Sequence, residues 1–177
     1  MAKLDHNYIE SLVQMTRDND SNAFAELYAA TYQIQYEYAY HYLGDEFLAK
    51  CAVQETYVKA LLGINSLADS RLLIPWLNQL NFRICFGISK TGSVEFSSHP
   101  DAGPENEIVE INGHQFYIRQ ILTLPFTEAQ ALILYVYNGL SYKEIARLMD
   151  ISKGSVQRAV SRGARHLLQI IGKGGES

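Results

Sequence analysis

Residues 124–168 read LPFTEAQALILYVYNGLSYKEIARLMDISKGSVQRAVSRGARHLL, and the start and stop signals in this stretch set out three helices joined by short turns. Leu124-Pro125 closes what comes before. Thr127, followed three residues later by Gln130, predicts a capping box that opens a helix. That helix continues through Ala131, Leu132, Leu134 and Tyr135 to Asn138-Gly139, a pair suited to a left-handed stop. Ser141 with Glu144 predicts a second capping box, opening a short helix whose inner side is Ile145, Ala146 and Met149. Asp150-Ile151-Ser152 is the turn: Asp is one of the few residues that tolerates a left-handed backbone, Ile151 fills the core, and Ser152 caps the last helix.

In that last helix Val156, Val160, Gly163 and Leu167 recur at spacings of four, three and four, and Arg158, Arg162 and Arg165 recur on a different face. A helix that buries one stripe and offers guanidinium groups on another, behind a capped helix pair, has the form of a helix-turn-helix whose last member lies in a DNA major groove. Lys153, Ser155, Gln157 and Arg158, near its N-terminus, are the candidates for base edges and adjacent phosphates, since Gln pairs with adenine and Arg with guanine. Arg162 and Arg165 lie further along and suit phosphates. Ser141 and Ser161 complete the expected duplex-contacting set. The competing reading is a basic amphipathic helix with a solvated face; the capped helices and the three-residue turn in front of it favour the DNA reader.

The whole chain has 177 residues, 47% hydrophobic and 19% charged, enough to build cores in one medium domain or two small ones. The net charge of −4 is unevenly distributed. Residues 1–88 carry six Lys/Arg against ten Asp/Glu, residues 89–119 two against five, and residues 120–177 seven against four. The basic end coincides with the helix-turn-helix, so different parts of the chain are built for different partners. No apolar run approaches the ~20 residues of a membrane span. MAKLDHNYIE lacks the basic-then-apolar pattern of a signal peptide, which predicts a cytoplasmic protein. Cys51 and Cys85 are read as buried small hydrophobes rather than a disulfide or zinc pair.

Ahead of the basic module the chain reads as helical. Asp5 predicts the cap of a first helix carrying Tyr8, Ile9, Leu12 and Val13. Ser21 predicts the cap of a second, with Phe24, Leu27, Tyr28, Thr31 and Tyr32 on one side and a stop at Gly44. A third starts near Asp45 and carries Phe47, Leu48, Cys51, Val53, Tyr57, Val58 and Leu61 before Gly63. A fourth starts around Pro75 and turns Trp76, Leu77, Leu80, Ile84 and Ile88 inward. Together they predict a helical domain over residues 1–88. Ser89–Glu107 (SKTGSVEFSSHPDAGPENE) has linker composition. A helix is expected to resume after Pro104 with Ile108, Ile111, Ile118 and Leu122 as its apolar positions, interrupted at Asn112-Gly113. The fold class expected is all-α: two small helical domains, 1–88 and 108–177, joined by a flexible linker.

Residues 124–167 resemble region 4 of the extracytoplasmic-function sigma factors of bacterial RNA polymerase, whose pattern is Leu-Pro, an apolar helix, Gly-Leu-Ser-Tyr-x-Glu-Ile-Ala, then Ile-Ser and a basic helix. SNAFAELYAATY, YAYHYLGD, VQETYVKAL and PWLNQLNFRI are similar to region 2 of the same family in content and order. The resemblance implies that the first domain docks on the clamp helices of the polymerase largest subunit and opens the −10 element, while the second reads the −35 element beside the flap region. It carries Asp45, Gln54, Glu55 and Lys59 as docking residues on the helix Asp45–Leu62, and Trp76, Asn81, Arg83 and Lys90 as candidates for the −10 element. The loop Asn65–Leu73 takes the place of the family's base-capturing loop. Trp76 also has a plain reading as a core anchor, which the residues favour. The resemblance further implies an anti-sigma protein as a partner and no cofactor or metal. The chain departs from the family at Lys50-Cys51, usually Glu-Asp, at the sparse basic residues after Arg83, and at Gln157-Arg158-Ala159, usually Lys-Ser-Arg.

A second function class is a DNA-binding regulator that works without polymerase; LuxR-type regulators have a similar four-helix reader but no counterpart of residues 1–88. An enzyme has little support, because His6, His41, His99, His114 and His166 are scattered and no metal-ligand spacing or phosphate-binding glycine loop is present.

Overall fold

Three aspartates start the first three helices. Asp5 accepts from the amide of Asn7 and opens α1, His6–Arg17. Asp20 accepts from Asn22 N and Ala23 N at 2.9 and 3.2 Å and opens α2, Ser21–Leu43. The cap expected at Ser21 therefore sits one residue earlier, where a carboxylate satisfies two orphan amides at once. Asp45 accepts from Leu48 N at 2.8 Å and opens α3, Glu46–Gly63. Gly44 ends α2 at φ 65°, its N–H returning to Tyr40 O. Short 3-10 turns at Ile64–Ser66 and Ser70–Leu72 lead into α4, Leu73–Lys90. Pro75 falls in the first turn of α4, where the missing amide costs no helix bond.

The computed structural model describes residues 5–91, 108–111, 114–117, 120–121 and 123–174, and the chain divides into two units, Met1–Ile88 and Ser89–Ser177. Of the expected linker, Ser89 and Lys90 belong to α4, and residues 92–107 lie outside the described ones.

The first unit packs around a thin seam on α3. Ala49, Ala52, Thr56 and Ala60 recur every three or four residues and are fully covered, which lets α2 approach closely. Leu27, Thr31, Gln35 and Tyr42 of α2 are buried as well. The Tyr57 hydroxyl reaches Thr31 Oγ1 at 2.6 Å, and Thr31 Oγ1 in turn donates to Leu27 O at 2.7 Å. Burial pushes the Tyr57 phenol far above its usual range, so it stays a donor. A buried amide network ties α2 to α4. Gln35 Nε2 donates to Asn78 Oδ1 at 2.7 Å, and Asn81 Nδ2 donates to Gln35 O at 2.8 Å and to Gln35 Oε1 at 3.1 Å. Cys85 Sγ donates to Asn81 Oδ1; burial raises this thiol's pKa and keeps it protonated. On the outer side of α2, Tyr28, Tyr32, Tyr36 and Tyr40 form a ladder with successive ring centroids 5.3, 6.1 and 6.2 Å apart.

In the second unit the helix expected after Pro104 gives way to strands over residues 108–111 and 114–117, while Gln120 and Ile121 are helical as expected. Ile108–Ile111 (β1) and His114–Tyr117 (β2) instead pair antiparallel, with Ile108 opposite Tyr117 and Ile111 opposite His114. The reason is written in the sequence: Asn-Gly between two short segments, IVEI and HQFY, is a strong hairpin signal. Ile118 and Leu122 lie outside the described residues. The unit is otherwise helical: α5 Phe126–Leu132, a π-turn Ile133–Tyr137, α6 Tyr142–Met149 and α7 Lys153–Gly174.

The capping box expected at Thr127–Gln130 does not form. The helix starts two residues earlier, with Pro125 as its cap and Pro125 O accepting from Glu128 N and Ala129 N. Thr127 thus falls inside the first turn, and Gln130 is buried.

Asn81→Ala should destabilise the first unit by ~1–3 kcal/mol, because it leaves Gln35 buried without its donor. A urea titration followed by circular dichroism measures this; an unchanged midpoint would show that the amide network carries no stability.

Candidate nucleic-acid interface

The site is built from the way α6 and α7 are ended and started. Ser141 Oγ accepts from Glu144 N while the Glu144 carboxylate accepts from Ser141 N at 2.9 Å, so the capping box expected here is complete. The π-turn before it closes with Asn138 N to Ile133 O and Leu140 N to Leu134 O, and Gly139 takes φ 64°. The left-handed glycine and these two long return bonds end the helix. After α6, Asp150 adopts φ 52°, ψ 47°, and Ile151 N returns to Ala146 O at 3.1 Å. Ser152 Oγ then accepts from Ser155 N at 3.1 Å and starts α7.

Helix α7 divides sharply into two faces. Val156, Ala159, Val160, Gly163, Ala164 and Leu167 are buried, together with Ile145 of α6 and Leu132 of α5. The opposite face forms a shallow open concavity lined by Gly154, Gln157, Arg158, Ser161, Arg162 and Arg165. Lys153 is exposed at the start of the same helix. The structure therefore brings five of the expected duplex-contacting residues into one surface. Ser155 is half-buried, and its hydroxyl accepts from Arg158 Nη2 at 3.0 Å while lying 2.9 Å from Ser152 Oγ. Arg158 is thus folded back on the first turn of α7, over Gly154, where an added Cβ would stand 3.5 Å from its Nη1. Ser141 is exposed but engaged in its capping box, outside the concavity.

Two partners of this face escape a sequence reading. Glu128 of α5 is buried, and its Oε1 accepts from Arg162 Nε at 3.1 Å while its Oε2 lies 2.7 Å from His166 Nδ1. Their separations of 34 and 38 residues leave no local pattern to detect. Beside them, α5 and α7 nearly touch: a Cβ added to Gly163 would lie 2.6 Å from Leu132 Cδ1 and 3.3 Å from Glu128 Cβ. Near the start of α6, Tyr135 and Tyr142 stack with centroids 5.0 Å apart. The hydrogen bond between them is the main cause raising the Tyr142 phenol above its usual range.

In the first unit the expected residues divide. Trp76 is buried, with its ring against Gly63, and Asn81 is fully enclosed in the amide network. Neither can meet a base, so both expectations for the −10 element are corrected: their side chains are consumed by the core. Arg83 and Lys90, seven residues apart on α4, are exposed. Asp45 spends its carboxylate on capping α3. Gln54 and Glu55 are exposed, and Glu55 pairs with Lys59 at 2.9 Å.

Around Gln54 and Glu55 the helix shows an apolar surface that the sequence reading placed on the helix but did not turn outward. Phe47, Val58, Leu61 and Leu62 are 74%, 59%, 49% and 81% exposed. The available signal was that the apolar residues of α3 go all the way round, more than one packing face can cover.

Residues 117–167 match the family model described as sigma-70, region 4. The chain is 28% identical over 156 residues to the ECF RNA polymerase sigma factor SigM of Bacillus subtilis, which covers 84% of this chain and 95% of that protein. It is 23% identical over 180 residues to the ECF RNA polymerase sigma factor BldN of Streptomyces coelicolor, covering 96% and 68% respectively. Among solved structures, CnrH in complex with the cytosolic domain of CnrY has a similar fold, with a TM-score of 0.58 at 16% identity, covering 98% of this chain and all of that one.

Gly163→Val should overpack the crossing of α5 and α7 and cost the second unit ~1–3 kcal/mol. The amides of Val160 and Leu167 should then exchange roughly ten- to hundredfold faster with deuterium, ~1.4 kcal/mol being a factor of ten. Unchanged protection there would mean that the crossing tolerates a side chain.

Proposed function

We propose that this chain, which belongs to the extracytoplasmic-function group of sigma-70 factors, directs RNA polymerase core to particular promoters and starts transcription there. The observation that carries the reading is the exposed arginine face of α7, backed by a buried stripe and set by a fully capped helix-turn-helix. That face suits a duplex element upstream of the start site. Gln157 and Arg158 supply forked donors and acceptors for base edges, and Arg162 and Arg165 supply phosphate contacts.

The first unit supports attachment to polymerase rather than free-standing repression. Helix α3 presents exposed apolar residues around Gln54 and Glu55 on a unit whose net charge is negative. Such a surface complements a basic partner with apolar contacts, as the clamp helices of the polymerase largest subunit are in this family. The polymerase flap region is the proposed neighbour of the second unit. Opening of the −10 element is assigned to Arg83 and Lys90, with the loop Asn65–Leu73 for base capture; Leu67 and Leu73 of that loop are buried and serve the core. The division of labour is domain 1–88 for polymerase and the −10 element, and 108–177 for the −35 element.

The chain acts by binding, not by catalysis, and works in the cytoplasm with the polymerase. No helix among the described residues is long and apolar enough to cross a membrane. Because CnrH was solved with the cytosolic domain of CnrY, a protein partner that holds the free factor belongs to the same proposal. An independent regulator is the weaker reading, since SigM matches most of the chain and not the helix-turn-helix alone.

Mixing the full chain with polymerase core should give a stable complex that transcribes from selected promoters. Duplex binding by the chain alone, with no polymerase complex, would overturn the reading. Glu55→Lys should weaken assembly and leave duplex binding unchanged; normal assembly would remove α3 from the docking surface. Arg158→Ala should relax sequence preference upstream by roughly ten- to hundredfold, and Arg165→Ala should weaken all sequences alike and lower the salt slope by about one. Identical effects of the two changes would contradict their separate roles.

A further inference from the structure

Among the described residues Glu128 is the one buried carboxylate, 6% exposed. An anion removed from water at this level persists only if cations and donors satisfy it. Both its oxygens are taken, and both by α7: Oε1 by Arg162 Nε and Oε2 by His166 Nδ1. The absence of a side chain at Gly163, between these two partners, brings the helices close enough for a short acidic side chain to reach both.

The consequence falls on the DNA-facing surface. Arg162 remains 53% exposed and lines the concavity with Gln157, Arg158, Ser161 and Arg165. Its Nε is committed to Glu128, so the guanidinium cannot swing freely and its terminal nitrogens are presented from one direction. A phosphate contact carries no base information of its own, but it fixes the register of the recognition helix on the duplex. A tethered arginine accepts one backbone position. A free one follows any backbone.

We propose that Glu128 is a positioning residue for sequence reading: it holds Arg162 in one orientation, so that a single phosphate contact sets which bases Gln157 and Arg158 meet, and it offsets positive charge that would otherwise favour every sequence equally. This rests on the reading of α7 as the duplex reader. The buried acid acts against affinity and in favour of choice.

The test uses the full chain assembled with polymerase core on a duplex library randomised across the upstream element, with bound and unbound fractions sequenced at several salt concentrations. Glu128→Leu keeps the site filled while releasing Arg162 and His166. It should bind random duplex severalfold more tightly, steepen the salt slope by about one, and reduce selectivity at least tenfold. Glu128→Gln retains an oxygen for Arg162 Nε without the charge; it should steepen the slope similarly but keep selectivity within about threefold of the parent, a rescue that a purely structural role does not produce. Arg162→Lys, checked for folding by circular dichroism, keeps the charge and loses the Nε tether. It should reduce selectivity as far as Glu128→Leu, and the two changes together should do no more than either alone. Parental selectivity in Arg162→Lys, or in a folded Glu128→Leu, overturns the proposal and leaves α7 as the reader. No upstream preference in the parent protein itself overturns the reader assignment and this proposal with it.

Discussion

Two helices can approach until backbone meets side chain only where one of them has nothing to put in the way. The crossing of α5 and α7 at Gly163 is such a place, and the second unit is organised around it. Leu132 fills the space that a Cβ would need, Glu128 reaches across beside it, and the buried stripe from Val156 to Leu167 follows from the same close approach. The outer face of α7 is then fixed in orientation, because a helix held along one stripe can present only the complementary one. The arginines owe their common exposure to a glycine on the other side.

The first unit solves a related problem with different chemistry. Its seam of Ala49, Ala52, Thr56 and Ala60 brings α2 and α3 together, while the amides of Gln35, Asn78 and Asn81 lock α2 to α4 through hydrogen bonds that have no alternative partner in water. Apolar contact sets how close the helices come. Directional bonds set which residue sits opposite which. The cost is that polar side chains on α4, which could have served an outside ligand, are used inside.

That trade explains where the sequence was readable and where it was not. Caps and stops depend on three or four neighbouring residues, and those at Asp5, Gly44, Gly139, Ser141 and Ser152, like the left-handed Asp150, were legible because all the participants are local. The arginine face of α7 was legible for the same reason, since helical period alone places it. The box expected at Thr127 failed to a rival signal two residues earlier, the proline that caps the helix. The hairpin at 108–117 was missed because isoleucines at 108 and 111 stand at a helical spacing, and that spacing was followed instead of the Asn-Gly turn signal. Asn81 and Glu128 were beyond local reading altogether, because they take their roles from partners 46, 34 and 38 residues away; Trp76 was legible as a core anchor from helical period, and the fold adds that its ring lies against Gly63.

Trp76 is the single tryptophan in a chain with twelve tyrosines, and it is enclosed in the first unit with its ring against Gly63. Its place makes the molecule its own optical probe. Indole emission shifts to the red and changes in yield when water reaches the ring, so light excited at the red edge of the absorption band reports on one unit alone. The second unit is silent at that wavelength. Melting of the first unit can therefore be followed inside the intact chain, without a label, whether the second unit is folded or unfolded.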